Sequence, residues 1–169
     1  MSSTNSIESI YEIVRPKKGQ RISLPKPHGS ADSLIIANWI KKKNNPEKEK
    51  KGVKRLVICN SQETADRIHE EVSYFIPTKN VKLLSDWETL PYEPFSPHKD
   101  LTSDRLLCLY ESAMALTDAV VVNAETSLFK IIPQDFIAAK TFFFNTGQTL
   151  PLNKLKTQLD IAGYDKTNQ

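Results

Sequence analysis

The sequence is poor in cysteine, with two in 169 residues, and Cys59 and Cys108 each lie inside an apolar segment. That argues against a disulfide framework and reads as two reduced core thiols. No apolar run approaches the ~20 residues that a bilayer crossing needs, so no membrane contact is expected. Residues 1–5 (Met-Ser-Ser-Thr-Asn) carry neither a basic nor an apolar stretch. The expectation is therefore no secretory signal and a cytoplasmic location. His28, His69 and His98 stand far apart with no Cys/His/carboxylate spacing around them, which gives no basis for a metal site. His69, beside the apolar stripe of its helix, reads as half-buried and structural. Ser73 and Ser96 lack a nucleophile-elbow context, and Asp86 and Glu88 read as solvated loop acids rather than a catalytic pair. No Asp-Glu pair follows an apolar strand to hold magnesium and position water. Neither a cofactor nor an enzyme activity is expected of this chain.

What is present suits a globular domain: 39% hydrophobic residues, 25% charged residues and a net charge of +3. The length allows one domain, or one plus the start of a second. Much of the basic excess gathers in Lys41, Lys42 and Lys43 and in Lys48, Lys50 and Lys51. Glu47 and Glu49 are interleaved and aromatics are not, so a solvated loop is the simpler reading, with nucleic-acid binding as its competitor.

Along the chain, Ile7, Ile10, Tyr11 and Val14 share one helical face, with Ser6 as cap and Pro16 as stop. Residues 20–24 alternate and read as a short strand. Pro25 to Gly29 form a rigid turn, and helical spacing begins at Ser30 with Leu34, Ile35, Ala37 and Trp39. Val53–Cys59 reads as a buried parallel strand. Asn60 to Glu63 resemble a capped helix start, and Ala65, Ile68, Val72 and Phe75 supply that helix's apolar face. Val81–Leu84 is a strand and residues 85–100 a loop rich in proline and aromatics. Asp104–Leu116 is a helix with Leu106, Leu107, Tyr110, Ala113 and Met114 inward, and Ala119–Val122 is a strand buried on both faces. Strands alternating with helices predict an α/β fold: a parallel sheet with helices on both faces. After Pro133 the pattern changes to a strand at Phe142–Phe144 and a helix at Leu152–Ile161 with Gly163 as its stop. That reads as the start of a small second α+β subdomain.

Lys26–Ser33 (Lys-Pro-His-Gly-Ser-Ala-Asp-Ser) occupies the strand-to-helix turn where phosphate binds in such folds. Against G-x-x-x-x-G-K-[ST], Lys26 stands at the first Gly, Ala31 at the second, Asp32 at the Lys and Ser33 at the hydroxyl. Gly29 and Ser30 lie between. Plain helix capping by Ser30 or Asp32 explains the same residues. As a phosphate loop the segment is disabled: a carboxylate replaces the cation, and a like-charge contact at ~4 Å costs ~4 kcal/mol at an effective dielectric of about 20.

Residues 85–98 (Ser-Asp-Trp-Glu-Thr-Leu-Pro-Tyr-Glu-Pro-Phe-Ser-Pro-His), followed by Ser103-Asp104-Arg105-Leu106, are distinctive. Together with Leu24 to Asp32, Ala119 to Asn123 and Gln158 to Tyr164, they closely resemble the N-terminal, UvrB-homologous region of the bacterial transcription-repair coupling factors (Mfd). The signature positions are Asp86, Trp87, Glu88, Leu90, Pro91, Tyr92, Phe95, Pro97, His98 and Arg105. The resemblance runs from about Arg21 to the end of the chain.

The resemblance implies a RecA-like or P-loop-like α/β fold similar to UvrB domain 1a. UvrB carries T-G-S-G-K-T and then a helix containing A-N, and Gly29–Ser33 with Ala37-Asn38 fall in that register. It implies residues 1–20 as a lead-in, 21–132 as the α/β domain with a degenerate phosphate loop, and 133–169 as the start of a UvrA-recruiting subdomain. It further implies a non-catalytic adaptor for UvrA recruitment and autoinhibition in transcription-coupled nucleotide excision repair. RNA polymerase and DNA would be engaged, and ATP hydrolysed, by other domains of the full-length protein. UvrB clamps DNA with a tyrosine-rich hairpin near the position of residues 87–100. Pro91, Pro94 and Pro97 make this segment an aromatic loop packing on its own domain, with base stacking by Trp87, Tyr92 and Phe95 as the alternative. The competing readings of the whole chain are a nucleotide-binding helicase-like domain using Lys26 and Ser33, and a DNA-binding domain using residues 41–55.

Overall fold

The computed structural model describes residues 17, 19–41, 55–87, 89, 94, 97–141 and 146–162, with the backbone alone at 139, 140 and 162. The elements expected at residues 6–14 and 142–144, the lysine-rich stretch from Lys42 to Lys51 and the helix stop at Gly163 lie outside these residues.

Among the described residues three parallel strands form a sheet: β1 (Arg55–Cys59), β2 (Val81–Leu84) and β3 (Ala119–Asn123), in the order β1-β3-β2. Arg55 pairs with Ala119 and Val81 pairs with the same Ala119, so both outer strands start level with the central one. The starts of β2 and β3 are tied by Asn80 and Asp118. The Asn80 N–H donates to Asp118 Oδ2 at 2.9 Å, and the Asp118 N–H donates to the Asn80 carbonyl at 2.8 Å.

Side chains alternate across a strand, and each face of the sheet meets different helices. On one face Cys59, Val81, Ala119 and Val121 pack with α1 (Ala31–Lys41) and α2 (Gln62–Phe75), through Ala37, Ile40, Ala65, Ile68 and Val72. On the other, Leu84 and Val122 pack with Cys108 of α3 (Lys99–Ala113). Reversing direction along the sheet, from β1 out to β2 and back to β3, requires this change of face if each crossover is right-handed. The expected α/β fold, with helices on both faces of a parallel sheet, is what forms. Truncating a buried aliphatic such as Ile68 to Ala would cost about 2–5 kcal/mol. Three further helices follow: α4 (Ala124–Ser127), α5 (Gln134–Lys140) and α6 (Leu152–Ala162). Ile137 of α5 is buried, and the Gln134 side chain donates to the Ala113 carbonyl at the end of α3 at 2.7 Å.

Several expectations change. Residues 20–24 join no strand of the described sheet, and Leu24 stays 51% exposed; alternation without a partner strand leaves only extended chain. β1 is not buried on both faces, since Leu56 and Ile58 are 55% and 57% exposed. Among the described strands β1 is at the sheet's edge, and the core formed with α3 reaches only β2 and β3. The cap of α2 is Ser61, whose Oγ accepts the Thr64 N–H at 3.2 Å, rather than Asn60. Phe75 is part-exposed and Ile76 buries in its stead. α3 starts at Lys99 and turns Arg105 and Cys108 inward, leaving Leu106 and Leu107 exposed.

Candidate functional site

The carboxyl ends of parallel strands are where α/β proteins gather ligand-binding groups. Two clusters lie in the neighbourhood of those ends here, and both contain residues singled out from the sequence.

The first surrounds the start of α1. Gly29 has φ +56°, a left-handed conformation that favours glycine, and open space beside it. The Ser30 carbonyl accepts the Leu34 N–H at 3.1 Å, which makes Ser30 the residue that enters the helix. Its hydroxyl does not cap the helix; it donates to Glu71 Oε1 of α2 at 2.9 Å. Asp32, inside the first turn, answers one of the helix's free donors, with Oδ1 accepting the Ser33 N–H at 2.8 Å, and a carboxylate in a helix's first turn is favoured by the dipole. The same carboxylate receives both teeth of the Arg67 guanidinium, Nη1 to Oδ1 at 3.2 Å and Nη2 to Oδ2 at 2.7 Å. Arg67 also donates to Glu71 Oε2 at 2.9 Å. The Arg67 hydrogen bonds hold the Asp32 carboxyl below the usual carboxylate range, against a smaller upward push from burial. Ser33 is fully buried, Ala31 is half-buried and Lys26 is exposed.

The second cluster joins the ends of all three strands. Gln62, the first residue of α2, accepts the Asp86 N–H at 3.2 Å and the Asn123 side-chain amide at 3.1 Å through Oε1. Asn123 Oδ1 caps α4 by accepting the Thr126 N–H at 2.6 Å. Asp86 Oδ1 accepts from the Thr126 hydroxyl at 3.1 Å and from the Trp87 N–H at 2.8 Å. Arg105, 4% exposed, lays its guanidinium 4.2 Å from the centre of the Trp87 ring and donates Nη1 to the Ser85 carbonyl. Burial lowers the Arg105 pKa, and the Asp86 charge opposes that. His98, at the far end of the loop, caps α3 by accepting the Asp100 N–H on Nδ1 at 3.3 Å.

Of the signature residues, Asp86, Trp87 and Arg105 are thus brought together, and His98 acts apart as a cap. Pro97 is described as loop, whereas Glu88, Leu90, Pro91, Tyr92 and Phe95 lie outside the described residues. His69 is half-buried, with Nε2 3.2 Å from the Val81 carbonyl, as its helix position suggests. Cys59 and Cys108 are buried free thiols, both shifted upward chiefly by burial. Sequence reasoning missed Arg67, Glu71, Gln62 and Thr126. The i,i+4 spacing of Arg67 and Glu71 was a visible signal, but nothing local pointed either residue at Asp32.

A parallel sheet flanked by helices, with a helix start and a pinned loop near its strand ends, defines an α/β module consistent with a RecA-like or UvrB-like fold. No protein-family profile matches the chain. The transcription-repair-coupling factor of Escherichia coli (strain K12) is 32% identical over 160 residues, covering 94% of this chain and 13% of that protein. The transcription-repair-coupling factor of Haemophilus influenzae is 29% identical over 114 residues, 68% of this chain and 10% of that protein. That of Rickettsia bellii is 25% identical over 84 residues, 49% of this chain and 8% of that protein. The chain belongs to the transcription-repair coupling factor family, and it spans 13% or less of the length of these relatives.

Proposed function

We propose that this chain is a catalytically inert, UvrB-like module from the N-terminal region of a transcription-repair coupling factor. It serves transcription-coupled nucleotide excision repair as an adaptor in the cytoplasm, contributing to UvrA recruitment and to autoinhibitory packing against other domains of the full-length protein. Hydrolysis of ATP, translocation on DNA and displacement of RNA polymerase are assigned to those other domains. Residues 21–132 form the adaptor's α/β body, and residues from 133 onward begin the subdomain that receives UvrA.

The observation that carries this reading is the Asp32 carboxylate at the start of α1, at the position of a phosphate loop's lysine and already bonded to Arg67. A nucleotide's phosphates would meet a negative group there, where a working loop presents a cation. Lys26–Ser33 is thereby read as a degenerate phosphate loop kept as a structural joint. The family match supplies the repair context.

Two measurements test it. A polypeptide extended past Gln169 is expected to retain UvrA in a pull-down, and one lacking everything from residue 133 is expected to lose it. Titration with magnesium-ATP to about millimolar concentration is expected to give no binding. Saturable binding would sink the inert reading.

A further inference from the structure

Four side chains close the start of α1 against α2. Asp32 and Glu71 share the Arg67 guanidinium, at 2.7 Å to Asp32 Oδ2 and 2.9 Å to Glu71 Oε2. The remaining Glu71 oxygen accepts from the Ser30 hydroxyl at 2.9 Å. Asp32 Oδ1 accepts from Arg67, from the Ser33 N–H and, at 3.4 Å, from the Ser33 hydroxyl. All four carboxylate oxygens therefore have a donor, and one of those donors is a backbone N–H that a phosphate would otherwise take. Two carboxylates against one guanidinium leave the cluster net negative at the end of a helix that favours anions. The resident anion is a side chain.

We propose that the Ser30–Asp32–Arg67–Glu71 network is a built-in closure that fixes α1 against α2 without a ligand, in the place where a working phosphate loop is organised by its nucleotide. The proposal rests on the reading of Lys26–Ser33 as a disabled loop. Its consequence is that the docking of α1 is indifferent to ATP and responsive to ionic strength. Arg67 and Asp32 are part-exposed, at 41% and 30% of their side-chain surface, so mobile ions reach the pair and screen it.

Amide hydrogen exchange on the whole chain tests this, comparing the amides of residues 34–40 in α1 with those of β3. Asp32→Asn and Arg67→Gln are each expected to raise exchange in α1 roughly fivefold while leaving β3 unchanged. Because the two side chains act as one pair, the double variant is expected to exchange no faster than the quicker single variant. Glu71→Gln is expected to fall between wild type and Arg67→Gln. Unchanged α1 exchange in both single variants, or effects that multiply to about 25-fold in the double variant, would overturn the closure. Should the variants unfold outright, the wild-type chain decides: raising salt to about 1 M must speed α1 exchange ahead of β3, and parallel behaviour overturns the proposal. Magnesium-ATP added to the wild-type chain separates the two readings. Binding overturns the disabled loop whatever the exchange data say, whereas unaltered exchange in the variants overturns the closure and leaves the disabled loop standing.

Discussion

Arg105 and Trp87 form a stacked cation–ring pair, with the guanidinium carbon 4.2 Å from the ring centre and the arginine almost wholly buried. The indole that opens the aromatic loop is thus engaged from within the domain, and it follows directly on Asp86, which is tied to Gln62 and Thr126.

Arg105→Ala removes the stack and leaves the Ser85 carbonyl without its charged donor. The expected loss is about 2–4 kcal/mol, read from urea unfolding, with a red shift of Trp87 emission in the folded state. Arg105→Lys is expected to recover less than half, because a lysine cannot both lie flat on the ring and reach the carbonyl. Equal stability of the lysine variant and wild type would show that charge alone matters there.

Base stacking needs a free ring face, and Trp87 is half-buried with one of its two faces taken by Arg105. Single-stranded DNA at low salt is expected to leave the Trp87 emission unchanged. A quench that disappears as salt is raised would mean that a face of the ring is open to nucleic acid.

Asp86 presents one oxygen to two donors. Asp86→Asn keeps an acceptor and gives up the attraction to Arg105, whereas Asp86→Ala leaves the Thr126 hydroxyl and the Trp87 N–H without their partner. The alanine variant is expected to lose about 1–3 kcal/mol and the asparagine variant less. The reverse order in thermal melts would assign the residue's role to its charge.

The pH dependence follows from Asp32. Its carboxyl sits below the ordinary value, held there chiefly by Arg67, so the folded state binds its proton less readily than the unfolded chain does. The stability it contributes is complete above the unfolded value of ~3.9 and is lost as pH falls through the lower folded value. Urea midpoints measured downward from about pH 6 are expected to fall less steeply in Asp32→Asn than in wild type. Identical slopes would remove Asp32 from the acid response.

What was legible in the sequence was whatever depends on neighbours along the chain. The run Ala119–Val122 announced a strand covered on both faces, and Ala65, Ile68 and Val72 announced the inner face of α2. α6 emerged close to the limits expected from its spacing. What depends on distant partners was not legible. Asp32 and Arg67 are 35 positions apart, and only the packing of α1 on α2 shows that the carboxylate has a cation. Arg105 has the look of a surface residue until the Trp87 ring and the Ser85 carbonyl cover it, which is why the inward face of α3 was misjudged. β1 reads as buried from its apolar content alone, yet Leu56 and Ile58 lie beyond the reach of the α3 core.

The strand order also sets a timetable for synthesis. Among the described strands, β1 and β2 do not pair with each other; each pairs with β3, the last of the three to be made. A ribosome adding 5–20 residues per second needs roughly 2–7 s to travel from Leu84 to Ala119. Through that interval the nascent chain has both outer strands and nothing to zip them to. Polypeptides released before Ala119 should therefore lack the sheet altogether and fall to proteases, while those released a few residues after Asn123 should acquire it in a single step.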